Sequence, residues 1–484
     1  MSPAADTNGA DLYTVPLLID NEEYPSSSSF AVHSPATGSH IHNGAAVSIA
    51  DADVALQSCA KACASWRALP PTKKRDIFLR ASQIMDSRRD ELQKYMVAET
   101  GASSVWADFN LNLASNIILD LAGKMSSVQG SIPQTGEEGV SALVYKEPYG
   151  VILAIAPWNA PYILGVRAVA YALAAGNTCI LKAPELSPRC SWAIATCFHR
   201  AGLPAGVLNL IAHEPSAAAA VTKHLIESPI IKKINFTGST MVGKIIAELA
   251  GRNLKPILLE LGGKAPAIVW EDADLKLAAE QCAKGAFLHS GQICMSTERI
   301  IVHENIIDAF EAEYKKAVAA FAPSEKEAGV LISKLGVDKC KRLLADAVSK
   351  GAEIVHGSAD AHEDVGTKMR PVVIKGTTKD MELYYTESFG PTVSIVVVKT
   401  EEEALAVAND TEYGLSSAVF TRDLGRGLRF AKQIESGACH INSMTVHDEV
   451  ALPHGGMKAS GYGRFSGTSG IEEWVRTKTI TFRD

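Results

Sequence analysis

The chain has 484 residues, which at roughly 150 residues per domain suggests about three structural units. Hydrophobic residues make up 47% and charged residues 21%; an average globular chain carries about 25% charged. A large interior or buried subunit contacts are therefore expected, and whole-chain disorder is excluded. Lys+Arg 47 against Asp+Glu 54 leaves a net charge of −7, which argues against nucleic acid or an anionic membrane as the main partner, since both need a concentrated basic face.

In chain order, residues 1–14 are polar, contain Asp6 and Asp11, and carry no basic residue. They read as neither a secretory nor a transit peptide. Pro25 and the serines at 26–29 mark a flexible edge. Cys59 and Cys63 lie four apart on a predicted helix, but no His or second Cys pair completes a metal set, so no metal site is expected. Residues 131–149 suggest a hairpin projecting from the body. The uncharged run 149–166 is interrupted by Pro157, Asn159 and Pro161, which predicts a strand and a polar turn and not a membrane span.

From 150 to 440 the pattern alternates. Short apolar runs predict strands at 151–156, 178–181, 207–211, 234–236, 257–261, 267–270, 299–302, 393–398 and 418–421. Ala-rich segments predict helices at 187–201, 216–226, 241–250, 275–288, 306–322 and 339–350. Such alternation predicts an α/β fold, with parallel sheets covered by helices on both faces. The stretch around 295–335 reads as one long helical segment, and the tail at 475–482 alternates like a strand. The nine cysteines are odd in number and dilute, which implies reduced thiols and a cytoplasmic location.

Four places carry potential chemistry. Gly238-Ser239 follows a strand and opens a helix, with Gly243-Lys244 completing most of a nucleotide-binding loop. Ile245 stands where Ser or Thr would hold magnesium, so a nucleotide hydrolase is disfavoured. Free amides at such a helix start suit a pyrophosphate; a simple helix cap is the plainer reading. Cys294, in a Gly-containing turn, is a candidate nucleophile, although a lone Cys is more often an inert core residue. Glu260 interrupts a buried strand. It reads as a general base, or as an ion-pair partner of Lys264 or another cation. Asn159, in a proline-stiffened turn, is suited to stabilising an oxyanion, or to capping its turn.

Together these motifs resemble the aldehyde dehydrogenase superfamily. The resemblance runs through Pro157-Trp-Asn159, Lys182-Ala-Pro-Glu185, Phe236-Thr-Gly-Ser-Thr240, Leu259-Glu-Leu-Gly-Gly-Lys264, Gly291-Gln-Ile-Cys294, Glu387-Ser-Phe-Gly-Pro391 and Gly455-Gly-Met-Lys-Ala-Ser-Gly461. It implies an atypical Rossmann domain that binds NAD, with NADP possible (1–129 and 150–258), an α/β catalytic domain (259–462), and a small β oligomerisation flap (130–149 and 463–484) in a homo-oligomer, a dimer or tetramer. By resemblance, Cys294 attacks the aldehyde, the Asn159 side chain and the Cys294 amide hold the oxyanion, and Glu260 activates the water that hydrolyses the thioester. Lys182 and Glu185 match positions on the adenosine ribose and Glu387 one on the nicotinamide ribose. Phe389 packs nearby, Ser239 and Gly238 take the pyrophosphate, Trp158 lies close, and Gly262 belongs to the same cofactor site. A carboxylate at 185 accepts bonds from ribose hydroxyls and repels a 2′-phosphate, which favours NAD.

The implied substrate tunnel is lined by Trp106, Ala160, Tyr162, Ile163, Arg167, Ile293, Met295, Met444 and Val446. Trp106, Arg167 and the segment 453–464 resemble the salicylaldehyde and vanillin dehydrogenase branch, which often has Gly where this chain has Ala160. An aromatic aldehyde is the expected substrate. Arg167 would pair with a ring substituent, or form a salt bridge instead; an aliphatic semialdehyde is the alternative if Arg167 faces a distal carboxylate. A CoA-acylating enzyme often lacks the Glu260 base, a cysteine hydrolase would need a His signature near Cys294, and a non-catalytic descendant usually loses Cys, Glu or Asn.

Overall fold

The computed structural model describes residues 12–321, 328–358, 363 and 365–483. The readings made on residues 1–11, on 322 and on the last residue lie outside these. Two sheets dominate. The first has eight strands, in the order Gly461–Tyr462, Ile257–Glu260, Ile231–Thr237, Val151–Ile155, Thr178–Lys182, Leu208–Ile211, Leu17–Ile19 and Glu22–Tyr24. Its five central strands run parallel. The second has seven, in the order Glu353–His356, Val372–Lys375, Thr392–Val398, Thr297–His303, Ala265–Val269, Ser416–Phe420 and Ala438–Ile441. All of its pairings are parallel except that of the edge strand Glu353–His356. The α/β expectation holds, because the central strands are buried almost throughout on both faces and need a helix layer on each side.

The helix Pro161–Ala174 is wholly buried and runs through the middle of the largest apolar cluster. Its Tyr162 hydroxyl donates to the Leu92 carbonyl at 2.6 Å, and Trp66 Nε1 donates to Leu173 O at 3.1 Å. Two expectations change. The region 295–335 is not one helix: it contains the strand Thr297–His303, a helix limited to Ile307–Ala319, and the short strand Gly329–Val330. The strand expected at 299–302 holds and extends to Thr297 and His303, although Glu298, Arg299 and His303 punctuate it. Burial is tolerated because Glu298 meets Lys264 at 2.6 Å and Arg299 donates to the carbonyls of Val407 and Ala408 at 2.7 and 2.9 Å.

The segment 131–149 does not fold into a self-contained hairpin. Val140–Pro148 pairs antiparallel with Val475–Arg483 over nine residues, and Ser131 adds a single bridge to Val144. A lone two-stranded hairpin is marginal; here the tail supplies the partner strand, and Trp474 just before it is fully buried and fixes its root. Among the described residues, no helix is long and apolar enough to cross a membrane.

Candidate active site

The parallel strands of the first sheet end in register. Ile155 pairs with Lys182 and with Phe236, and Thr237 pairs with Glu260. The turns leaving that edge carry Trp158 and Asn159, then Gly238 and Ser239, then Leu261 and Gly262. The second sheet faces them with the turns that precede its strands: Cys294 lies just before Thr297–His303, and Glu387 and Phe389 just before Thr392–Val398. All these residues line one cavity of about 260 Å³. Open α/β sheets bind ligands beyond the carboxyl ends of their strands, which is where this cavity lies.

The Cys294 turn is held under strain. His289 and Ser290, with φ of 48° and 55°, and Gly291, at 71°, are three successive left-handed residues. For the two that are not glycine this costs about 1–3 kcal/mol each. Gln292 offsets it: its amide donates to the His289 and Val330 carbonyls at 3.1 and 3.0 Å, and its oxygen accepts from Ile332 N at 2.8 Å. Burial, reinforced by the charges of Glu260 and Glu387, pushes the Cys294 thiol well above the ordinary range, so the resting group is a thiol.

Asn159 is fixed at both ends. Trp106 Nε1 donates to its carbonyl at 3.2 Å, and its Nδ2 donates to the Gln292 carbonyl at 2.9 Å. A side-chain amide carries two hydrogens, so one remains for the cavity that Asn159 lines. Glu260 is buried, with Oε1 3.2 Å from His454 Nε2 and Oε2 4.0 Å from Arg167 Nη1. The ion pair with Lys264, one sequence alternative for Glu260, does not form, since Lys264 is committed to Glu298.

On the cofactor side, Ser239 caps the helix Thr240–Arg252, its hydroxyl accepting from Val242 N at 3.4 Å, so the plain capping reading also holds. Glu387 Oε1 accepts from Gly263 N at 2.8 Å. Burial, and then the charge of Glu298, pushes the Glu387 carboxyl up to about 7. A Cβ at Gly262 would stand 2.7 Å from Glu387 Oε2, and one at Gly263 would collide with the Cys294 carbonyl; the glycine pair lets the two sheets' turns approach. Lys182 lies on the same strand edge but outside the cavity wall. Its Nζ is 2.7 Å from His213 Nε2, while His213 Nδ1 is 3.0 Å from the Glu214 carbonyl. Burial and the charge of Lys182 lower the His213 pKa to about 4, so the ring is neutral, donates through Nδ1 and accepts from Lys182. Glu185 is half-buried beyond it.

The family model described as "Aldehyde dehydrogenase family" matches residues 23–480. The chain belongs to the aldehyde dehydrogenase family. Its reaction is therefore the NAD(P)-dependent oxidation of an aldehyde. It is 42% identical to vanillin dehydrogenase of Pseudomonas fluorescens over 97% of this chain and 98% of that one. Among solved structures it is similar to a salicylaldehyde dehydrogenase from Pseudomonas putida G7 complexed with salicylaldehyde, with a TM-score of 0.94 and 37% identity over 98% of each chain. An NADP-dependent glyceraldehyde-3-phosphate dehydrogenase from Bacillus halodurans, complexed with NADP, superposes with a TM-score of 0.91 at 28% identity, over 97% of this chain and 99% of that one.

Within this aldehyde dehydrogenase site, the residues expected in the tunnel divide. Trp106, Ala160, Ile163, Ile293, Met295 and Val446 are buried in one apolar cluster, with Met444 and Cys294 packed against it. Trp106 also stacks on His289, ring centroids 5.7 Å apart. Two expectations need correction. The Tyr162 hydroxyl turns into the core, because a buried phenol needs an acceptor and Leu92 supplies it. Of the two readings of Arg167, the structure has the salt bridge and not a free guanidinium for a ring substituent: it is 1% exposed and donates to Asp448 Oδ2 at 2.6 Å, since a buried cation must be paired. Sequence reasoning missed Asp448 and His454. His454 stands in the segment 453–464 quoted for the resemblance, where an imidazole before a Gly pair was the usable signal; Asp448, between His447 and Glu449, has no such local signal.

Proposed function

We propose that the chain oxidises an aromatic aldehyde to its carboxylic acid with NAD, through a hemithioacetal and then a thioester on Cys294. The observation that carries this reading is that Cys294, Asn159 and Glu260 all line one cavity. Cys294 gives up its proton to water in the cavity, and the thiolate attacks the aldehyde carbon. The free Asn159 N–H and the Cys294 amide receive the oxyanion, and neutral donors suit it, because an oxyanion that is stabilised but not protonated can still expel hydride. The nicotinamide, when bound, supplies the hydride acceptor. Glu260 then takes a proton from water, which attacks the thioester.

The cofactor fits the residues present. Ser239 and Gly238 offer a helix start to the pyrophosphate, the Gly262 cradle has no room for a side chain, and Glu387 keeps Oε2 free for the nicotinamide ribose. Lys182 and Glu185 would hold the adenosine ribose, with Trp158 and Phe389 as walls. Glu185 supports NAD over NADP. The proposed division is a cofactor domain of 1–129 and 150–258, a catalytic domain of 259–462, and a flap of 130–149 and 463–484 that joins subunits of a cytoplasmic homo-oligomer. The aromatic preference rests on the two relatives named for vanillin and salicylaldehyde and on the Trp106 wall. The pairing of Arg167 with Asp448 takes support from the semialdehyde alternative, which needs a free cation. In an assay of cofactor reduction, kcat/KM is expected to be at least about tenfold higher for benzaldehyde than for acetaldehyde, a difference of roughly 1.4 kcal/mol. NAD is expected to exceed NADP, and Cys294→Ala to abolish turnover. A preference for acetaldehyde overturns the aromatic reading, and wild-type turnover by Cys294→Ala overturns the mechanism.

A further inference from the structure

Glu260 belongs to a closed ring of four ionisable side chains drawn from distant parts of the chain. Arg167 Nη1 lies 4.0 Å from Glu260 Oε2, and Arg167 Nη2 lies 2.6 Å from Asp448 Oδ2. His454 closes the ring, with Nε2 3.2 Å from Glu260 Oε1 and Nδ1 3.9 Å from Asp448 Oδ1. The side chains of Arg167, Glu260 and Asp448 are 2%, 3% and 7% exposed, and that of His454 is 10% exposed. The imidazole is thus the member of the ring nearest to solvent. Among the described residues, Glu260 Oε1 and Asp448 Oδ1 have no hydrogen-bond partner although both are buried; the nitrogens they face belong to the same imidazole. Phe465 braces the arrangement. Its ring lies under the Arg167 guanidinium at 5.7 Å, and its backbone exchanges two 2.8 Å hydrogen bonds with that of His454.

A base that takes a proton from water must pass it on before the next turnover. Glu260 lines the cavity that substrate and cofactor fill during turnover, and on its other side Oε1 faces the His454 imidazole at 3.2 Å, so a proton exit lies there. We propose that His454, oriented by the Arg167–Asp448 pair, is the exit for the proton that Glu260 takes from the hydrolytic water. The proton moves from water to Glu260 Oε1 and on to His454 Nε2, and the imidazole in turn releases a proton from Nδ1, its other nitrogen, on the Asp448 side. The hydroxide oxygen bonds to the thioester carbon, the carbon–sulfur bond breaks with its electron pair on Cys294 Sγ, and the carboxylic acid departs. Asp448 holds the protonated imidazole in place, and Arg167 keeps two buried carboxylates from repelling one another. His454 and Asp448 act through Glu260 and are positioning residues. The inference rests on the reading of Glu260 as the base.

Rapid mixing of enzyme, cofactor and benzaldehyde separates hydride transfer from thioester hydrolysis. His454→Gln is expected to keep the rate of the first turnover's NADH burst within about threefold of wild type while steady-state turnover falls tenfold or more, so that thioester accumulates. Asp448→Asn is expected to do the same more weakly; His454→Asn, also uncharged, serves if either variant does not fold. Glu260→Gln is the reference. If it hydrolyses thioester at the wild-type rate, the base reading itself fails. If Glu260→Gln accumulates thioester and His454→Gln turns over like wild type, the exit is wrong while the base stands. Equal losses in burst rate and turnover for His454→Gln would assign His454 a purely structural role and also overturn the proposal.

Discussion

Cys294 is placed where its own ionisation is opposed. Burial contributes most to raising its pKa, and Glu260 and Glu387 add to it, while Arg167 works in the other direction. The thiolate is the reactive form, so the sign of each neighbour's effect can be tested. A thiol with a raised pKa gains reactivity as pH climbs through that raised value. Replacing Glu260 by Gln removes one negative charge facing the sulfur and lowers the value. At a fixed mildly alkaline pH, Glu260→Gln is therefore expected to be alkylated at Cys294 by iodoacetamide roughly threefold faster than wild type or more, since one pKa unit is about a factor of ten in thiolate. Mass spectrometry of the labelled peptide reads the rate. Slower labelling in the variant would mean that Glu260 draws the proton from Cys294 instead of merely repelling its charge.

At the scale of elements, the site depends on two sheet edges being held face to face, and a buried ion pair ties two turns to the strand Thr297–His303 there. Lys264, between Gly263 and the strand Ala265–Val269, donates to Glu298 at 2.6 Å. Glu298 also accepts from the amides of Ser388 at 2.8 Å and Phe389 at 3.2 Å, which fixes Phe389 in its left-handed conformation, φ 52°. Lys264→Met leaves Glu298 as an unpaired buried charge and is expected to cost about 3–5 kcal/mol. The double variant Lys264→Met with Glu298→Gln is expected to recover a large part of that loss, as urea midpoints would show. Equal midpoints for the single variant and wild type would mean that Glu298 takes up a proton at no cost. This junction also shows what the sequence can carry. Asn159, Gly238, Ser239, Glu260, Gly262 and Cys294 were legible because each sits in a local motif at a strand end, where proline, glycine and polar residues interrupt an apolar run. Of the strand Thr297–His303 only 299–302 was legible, because the charge of Glu298 at its start is neutralised by Lys264, a partner far away in sequence. The Arg167–Asp448–His454 ring was missed for the same reason: no spacing within one segment encodes a contact between residues 167, 260, 448 and 454.

At the scale of the whole molecule, the ribbon of Val140–Pro148 with Val475–Arg483 is a part that the rest of the described chain leaves largely uncovered. Along Val475–Arg483 only Val475 is buried, and Tyr145, Ile480 and Phe482 are 47%, 41% and 44% exposed. Two strands with apolar side chains facing water gain little from each other alone. Among the described residues, the outer edge of Val475–Arg483 pairs with no other strand and offers its backbone groups to another chain. The low charged fraction of the sequence agrees with surface set aside for a second subunit. Removing residues 476–484 leaves Val140–Pro148 without its partner strand while sparing Trp474, which packs in the core, and every residue of the cavity. The truncated chain is therefore expected to fold and to elute from size exclusion with light scattering at a lower mass than the full chain, and to lose activity mainly on dilution. If the full chain is itself monomeric at micromolar concentration, or the truncated chain keeps the full chain's mass, then the ribbon is not the surface that joins subunits, and the exposed Ile480 and Phe482 must be explained in another way.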